Sequence, residues 1–209
     1  MFANEKELVE KLVEYLEKKY KIKYITRELQ SGNNIADVVY TERIDREYIL
    51  FNTYMNSYYY VEKIYNKHEI DINEISVNKK YQKEFKLFLK DLEENGYIKV
   101  SKNHIEVIKK VNLATKNLVA VEAKLYDWRA GIEQAIRYKD YATKVYVALD
   151  SNNIGKVHKE IFEENNIGLL SVSKDGVKEI IKCKKEKVKK LDIQYYITDK
   201  FLKKVEFSM

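Results

Sequence analysis

Val119-Ala-Val-Glu-Ala-Lys-Leu125 is a short apolar run that carries one acid and one base, two residues apart, near its end. In a β-strand residues i and i+2 share a face, so Glu122 and Lys124 project together while Val119, Val121 and Leu125 serve packing. A buried strand that presents a carboxylate beside an ammonium is either a strand-end ion pair or part of a site. Which of the two it is depends on the partners supplied by the rest of the chain.

Downstream of this run, residues 128–141 read as a helix, with Ile132, Ala135 and Ile136 suited to packing and Gln134 and Tyr138 one turn apart on a shared face. Lys144-Val-Tyr-Val-Ala-Leu149 reads as a buried strand, residues 154–165 as a helix and Ile167-Gly-Leu-Leu-Ser-Val172 as a further strand. Strand, helix, strand, helix, strand implies parallel neighbours joined by right-handed crossovers, so the expected fold class is α/β with a mixed sheet. A strand or hairpin near residues 177–181 and a basic helix near Phe201 would complete it. The intervening segment from Lys182 to Lys190 is very basic, and either touches a phosphate backbone or is a solvated tail.

Upstream, residues 4–20 place Leu8, Leu12, Val13 and Leu16 at helical spacing behind Asn4, a good helix start. Residues 23–29 and Ile35-Ala-Asp-Val-Val-Tyr40 then read as two strands joined by a Gly-Asn turn. A lone Asp37 inside the second run is costly unless a metal ion or a basic neighbour compensates its charge. Glu28, just before the turn, could face the same place.

Composition narrows the setting. The chain has 209 residues, room for one large domain or two small ones, and its net charge of +6 mildly favours anionic partners. Cys183 is the single cysteine, which excludes an intramolecular disulfide and points to a reducing compartment, the cytoplasm. The scattered His68, His104 and His158 do not have zinc-site spacing. No apolar run is long enough to cross a bilayer, so no membrane partner is expected. Proline is absent, and boundaries rest on Gly, Asn and changes of period.

The character changes between residues 50 and 112. A tyrosine-rich helix candidate over residues 54–65 precedes a short Ile72-Asn-Glu-Ile-Ser76, a longer helix over residues 78–94 that stops at Asn95-Gly96, and a hairpin over residues 97–108. This order resembles a winged helix, a module that binds DNA through its third helix or serves as a protein docking surface. The resemblance implies DNA contacts from Lys79, Lys80, Gln82, Lys83 and Lys86 and from the wing residue Lys102, with a solvated lysine face as the alternative.

The remainder, residues 1–49 and 113–209, forms the expected core, and residues 4–50 and 113–180 resemble the PD-(D/E)XK, or restriction endonuclease-like, nuclease superfamily. The matching residues are Glu28, Asp37 in Ile35-Ala-Asp-Val-Val39, Glu122-Ala-Lys124 on the next core strand, and Gln134 with Tyr138 on the following helix. Two features depart from the pattern. Ala36 stands in the place of the motif proline, and the stretch from Asp37 to Glu122 is far longer than the core requires, which an inserted winged helix explains. The resemblance implies a mixed sheet flanked by helices and metal-dependent hydrolysis of DNA phosphodiesters. Asp37, Glu122, the carbonyl of Ala123 and Glu28 would be oxygen ligands for Mg²⁺ or Mn²⁺, which suit hard donors. Lys124 would orient or help deprotonate the attacking water, Gln134 and Tyr138 would support the site, and Arg129 and Arg137 would touch the DNA backbone. The implied partners are double-stranded DNA and a second copy of the chain, since a double-strand break needs two active sites. A non-catalytic DNA-binding or regulatory protein on the same fold is the rival expectation.

Overall fold

The computed structural model describes residues 1–45, 60–61, 63–64, 67–110, 112–115 and 117–206, with residue 206 described by its backbone alone. The chain divides into two compact units. One comprises Met1–Ile44, Thr115–Lys189 and Lys200–Met209, and the other comprises Asp45–Ala114 and Lys190–Asp199. Residues 190–199, which the sequence reading places with the first unit, cluster with the second, where Tyr195 and Tyr196 pack against its core.

The first unit is α/β, a six-stranded mixed sheet flanked by helices. Helix α1 (Glu5–Lys19) starts where the Asn4 side chain accepts from the Glu7 N–H, and it buries Leu8, Leu12, Val13 and Leu16. Strands β1 (Tyr24–Ser31) and β2 (Asn34–Thr41) form the expected hairpin, with Gly32 at φ +60° in its turn. The opening stretch becomes β6 (Val119–Lys124), antiparallel to β2 and parallel to β7 (Lys144–Asp150). β7 pairs in parallel with β8 (Gly168–Ser173), and β9 (Gly176–Ile181) closes the sheet antiparallel to β8. The order is β1-β2-β6-β7-β8-β9.

Every residue of β6 except Lys124 is buried, as a strand covered on both faces must be. Val119, Val121 and Ala123 pack into the cluster that holds α1. Ala120, Glu122 and Lys124 turn to the opposite face, which α3 (Trp128–Tyr138) covers. There Gly131 permits close approach, since a Cβ at this position would stand 2.9 Å from Val147 Cγ1 and 3.3 Å from Lys124 Cγ. Helix α3 ends three residues earlier than its periodicity predicts. The helix expected over 154–165 is split into a 3-10 stretch, Ser151–Lys156, and α4 (Lys159–Glu164), because Val157 and His158 have extended backbone. The basic stretch after β9 is irregular but held in place: Glu186 N–H donates to Thr143 O, Lys189 N–H to Lys139 O, and Lys139 pairs with Glu186 at 2.9 Å.

The second unit contains a three-stranded sheet of order β3-β5-β4. Here β3 (Glu69–Asp71), absent from the sequence reading, pairs with β5 (His104–Val107), which forms a hairpin with β4 (Ile98–Ser101). The expected longer helix divides into a 3-10 turn, Lys79–Tyr81, capped by Asn78, and α2 (Gln82–Glu94), which buries Phe85, Phe88, Leu89 and Leu92. The tyrosine-rich helix over 54–65 lies mostly outside the described residues. Of it, Tyr60, Val61 and Ile64 are helical and enter the same core. The final helix, α5 (Leu191–Glu206), contributes its first part to this unit and residues from Lys200 onward to the first. No helix among the described residues is long and apolar enough to cross a membrane.

Candidate functional site

Glu122 is 1% exposed in the middle of the first unit. Its Oε1 accepts from Lys124 Nζ at 2.7 Å, and its Oε2 lies 2.5 Å from the Tyr138 hydroxyl, which is also 2.6 Å from the carbonyl of Ile35. A phenol has one proton, so it cannot donate fully to both acceptors. The Tyr138 hydroxyl is the donor in both contacts, so Glu122 Oε2 and the Ile35 carbonyl share its one proton. Burial and then repulsion from Asp37 push the Glu122 carboxyl above its ordinary range, against the bonds from Lys124 and Tyr138.

Asp37 reaches the same place from the neighbouring strand. The β2–β6 ladder ends at Val38 opposite Val121, and one residue further Asp37 Oδ2 accepts the Ala123 N–H at 2.7 Å. Burial raises its pKa; the Ala123 bond and Lys124 oppose this, while Glu5 and Glu28 add to it. Lys124 has the reverse balance. Burial works to neutralise it, but the hydrogen bond and charge of Glu122, then Glu5 and Asp37, hold its pKa above the usual lysine value, so it stays an ammonium. The ion pair of the opening stretch therefore exists, but as the centre of a larger cluster of carboxylates.

Glu5 belongs to this cluster and was not picked out from the sequence. Its Oε2 is 3.8 Å from Lys124 Nζ. A glutamate in a first helical turn reads as a complement to the helix dipole, and only the tertiary fold brings it here. The backbone N–H of Phe2 donates to Asp150 Oδ2 at 3.0 Å, and Asp150, 1% exposed at the end of β7, pins the start of α1 beside the end of β6.

The other expected residues are placed unevenly. Glu28 is exposed, but its charge is felt by Asp37. Gln134 is half-buried one turn before Tyr138 and has no hydrogen-bond partner among the described residues. Arg129 and Arg137 are exposed on α3, the former with its guanidinium carbon 4.3 Å from the Trp128 ring centre. In the second unit Lys79, Lys80, Gln82, Lys83, Lys86 and Lys102 are all exposed. Gln82, Lys86 and Lys102 border a groove of about 740 Å³ floored by Ile72, Phe85 and Leu89.

Among the described residues no group of three or more His, Cys, Asp or Glu side chains is arranged to hold a metal ion. The side chains of Asp37 and Glu122 supply two carboxylates. A strand residue sends its N–H and C=O to the same edge, so the carbonyl of Ala123 leaves on the edge where its N–H meets Asp37. Two carboxylates and one carbonyl suit a hard cation such as Mg²⁺, which keeps several waters and binds through one or two carboxylates plus substrate phosphate. No protein family, curated protein or solved structure matches the chain.

Proposed function

We propose that the protein is a metal-dependent nuclease that hydrolyses DNA phosphodiester bonds, with a restriction endonuclease-like core and a winged-helix insert that grips the duplex. The observation that carries this reading is the convergence of Asp37, Glu122 and Lys124 at the end of β6, with Tyr138 behind them. A structural ion pair needs one acid for one base. Here two acids that repel one another stand beside one lysine and both have raised pKa values, as expected of a site kept ready for a further positive charge.

Support for the core comes from its element order, with the acid-bearing hairpin β1–β2 beside the Glu-x-Lys strand and the Gln-x-x-x-Tyr helix packed on its face. Support for the insert comes from the sheet order β3-β5-β4 and from the helix α2 that precedes the hairpin and exposes lysines. Asp37, Glu122 and the Ala123 carbonyl would hold Mg²⁺ or Mn²⁺, and Glu5 and Glu28, whose charges act on Asp37, would bind its waters. A bound cation would neutralise the phosphate and activate a water. Lys124, an ammonium 2.7 Å from Glu122, orients the nucleophile and stabilises negative charge on the phosphate. Tyr138 anchors Glu122 from behind.

Incubation of supercoiled, linear, branched and single-stranded DNA with Mg²⁺ or Mn²⁺ tests the reading. Cleavage by the wild type that falls at least a hundredfold in both Lys124→Ala and Glu122→Gln is the expected result. Cleavage that survives both substitutions, or metal-independent binding without turnover on all substrates, overturns it.

A further inference from the structure

The Asp37 cluster is flanked by a break in regular structure. In the β1–β2 ladder Arg27 pairs with Val38 and Leu29 with Ala36, so the register is the same on both sides of Glu28, which lies opposite Asp37 without pairing to it. Glu28 has φ +52°, the left-handed region, in the middle of a strand. For a residue with a Cβ this conformation is unfavourable and persists only where neighbours enforce it.

Two lysines of α5, one helical turn apart, supply that enforcement. Lys204 Nζ donates to Arg27 O at 3.1 Å and to Glu28 O at 2.8 Å, and Lys200 Nζ donates to Gln30 O at 2.9 Å. In a regular strand successive carbonyls leave on opposite edges, so one ammonium cannot reach both carbonyl 27 and carbonyl 28. Lys204 reaches both because Glu28 is kinked, and its double contact selects the kinked backbone over the straight one. Strand β1 is the edge of its sheet, where unpaired carbonyls are ordinarily satisfied by water, so the fold alone does not call for these bonds.

We propose that Lys204, assisted by Lys200, is a positioning residue of the carboxylate site: it holds Glu28 in the kinked backbone that keeps this acid beside Asp37, and thereby sets the affinity of the site for a divalent cation. The inference rests on the metal-dependent reading above. Its role is exerted through Glu28, with no direct contact to cation or DNA. Residues that orient ligands in this way commonly govern metal affinity tenfold or more.

Mn²⁺ binding by calorimetry, with no DNA present, tests it in the full chain. Lys204→Met is expected to weaken Mn²⁺ binding about tenfold, Glu28→Gln by a similar factor, and the double variant no further. Lys204→Arg, which can also bridge the two carbonyls, restores the affinity. Backbone NMR shifts of Glu28 report the kink independently of any metal, and they are expected to move toward ordinary strand values in Lys204→Met but not in Lys204→Arg. Lys204→Met that binds Mn²⁺ like the wild type, additive losses in the double variant, or an unchanged Glu28 signal in folded Lys204→Met overturns the proposal while leaving the nuclease reading intact. Absence of Mn²⁺ binding by the wild type overturns both.

Discussion

Asp37 and Glu122 are costly residues for the folded protein. Both carboxyls are raised, chiefly by burial, with Asp37 raising Glu122 further and Glu5 and Glu28 raising Asp37. A group raised in the folded state contributes stability that is fully present below its unfolded pKa and is lost as pH rises through its folded value. The protein therefore loses this contribution as pH rises from the ordinary carboxylate range through the raised one, and the proposed divalent cation is expected to restore it. Asp37→Asn keeps an acceptor for the Ala123 N–H and removes the like charge. It is expected to stabilise the metal-free protein at neutral pH by about 0.2–1 kcal/mol, to flatten the fall of melting temperature with pH, and to abolish cleavage. Thermal melts across pH with and without Mg²⁺ check this, and a destabilised Asp37→Asn would contradict it. At this scale the sequence was informative where contacts are local: an acid in an apolar run and an acid two residues from a lysine pick out the side chains that the fold brings together at the end of β6. Glu5 was illegible because its role depends on where Asp150 anchors the chain start, and the Glu28 kink because nothing in a Glu residue marks a left-handed backbone.

Among the elements, β6 and α3 position Glu122, Lys124 and Tyr138, and Gly131 sets their separation. Helix propensity alone favours Gly131→Ala by about 1 kcal/mol. The added methyl would lie 2.9 Å from Val147 Cγ1 and 3.3 Å from the Lys124 stem, and overpacking of this kind costs about 1–3 kcal/mol. The expected outcome is a lower melting temperature together with slower cleavage, as Lys124 is displaced from Glu122; a more stable and fully active variant would show that the helix lifts without disturbing the strand. The elements of this unit could be read from hydrophobic period because the strands are continuous apolar runs and the helices amphipathic. Strand β3 could not, since Glu69-Ile-Asp71 is too short to show alternation and exists only because β5 pairs with it. The division near Val157 also left no periodic trace, because Ile154 and Phe162 fit a single helix as well as two pieces.

For the whole molecule, the excess of basic over acidic residues becomes meaningful only through its placement. Lys79, Lys83 and Lys86 recur at helical spacing and are exposed, together with Lys102 in the β4–β5 turn. If Lys79 and Lys83 each neutralise one phosphate, the double alanine variant should lower the slope of log affinity against log salt by about 1.8. Fluorescence anisotropy on duplex DNA over a salt series measures this, and an unchanged slope would favour a docking role for this unit. The assignment of residues 190–199 to the second unit was not legible, because the tyrosines that join them to its core, Tyr195 and Tyr196, are remote in sequence from the residues of that core. The central claim is that Asp37 and Glu122 share one cation beside Lys124. Anomalous diffraction from crystals grown with Mn²⁺ tests it most directly. The expected result is a single peak within about 2.0–2.3 Å of one oxygen from each carboxylate; a map with no peak there at saturating Mn²⁺, and Lys124 still bonded to Glu122, would contradict it.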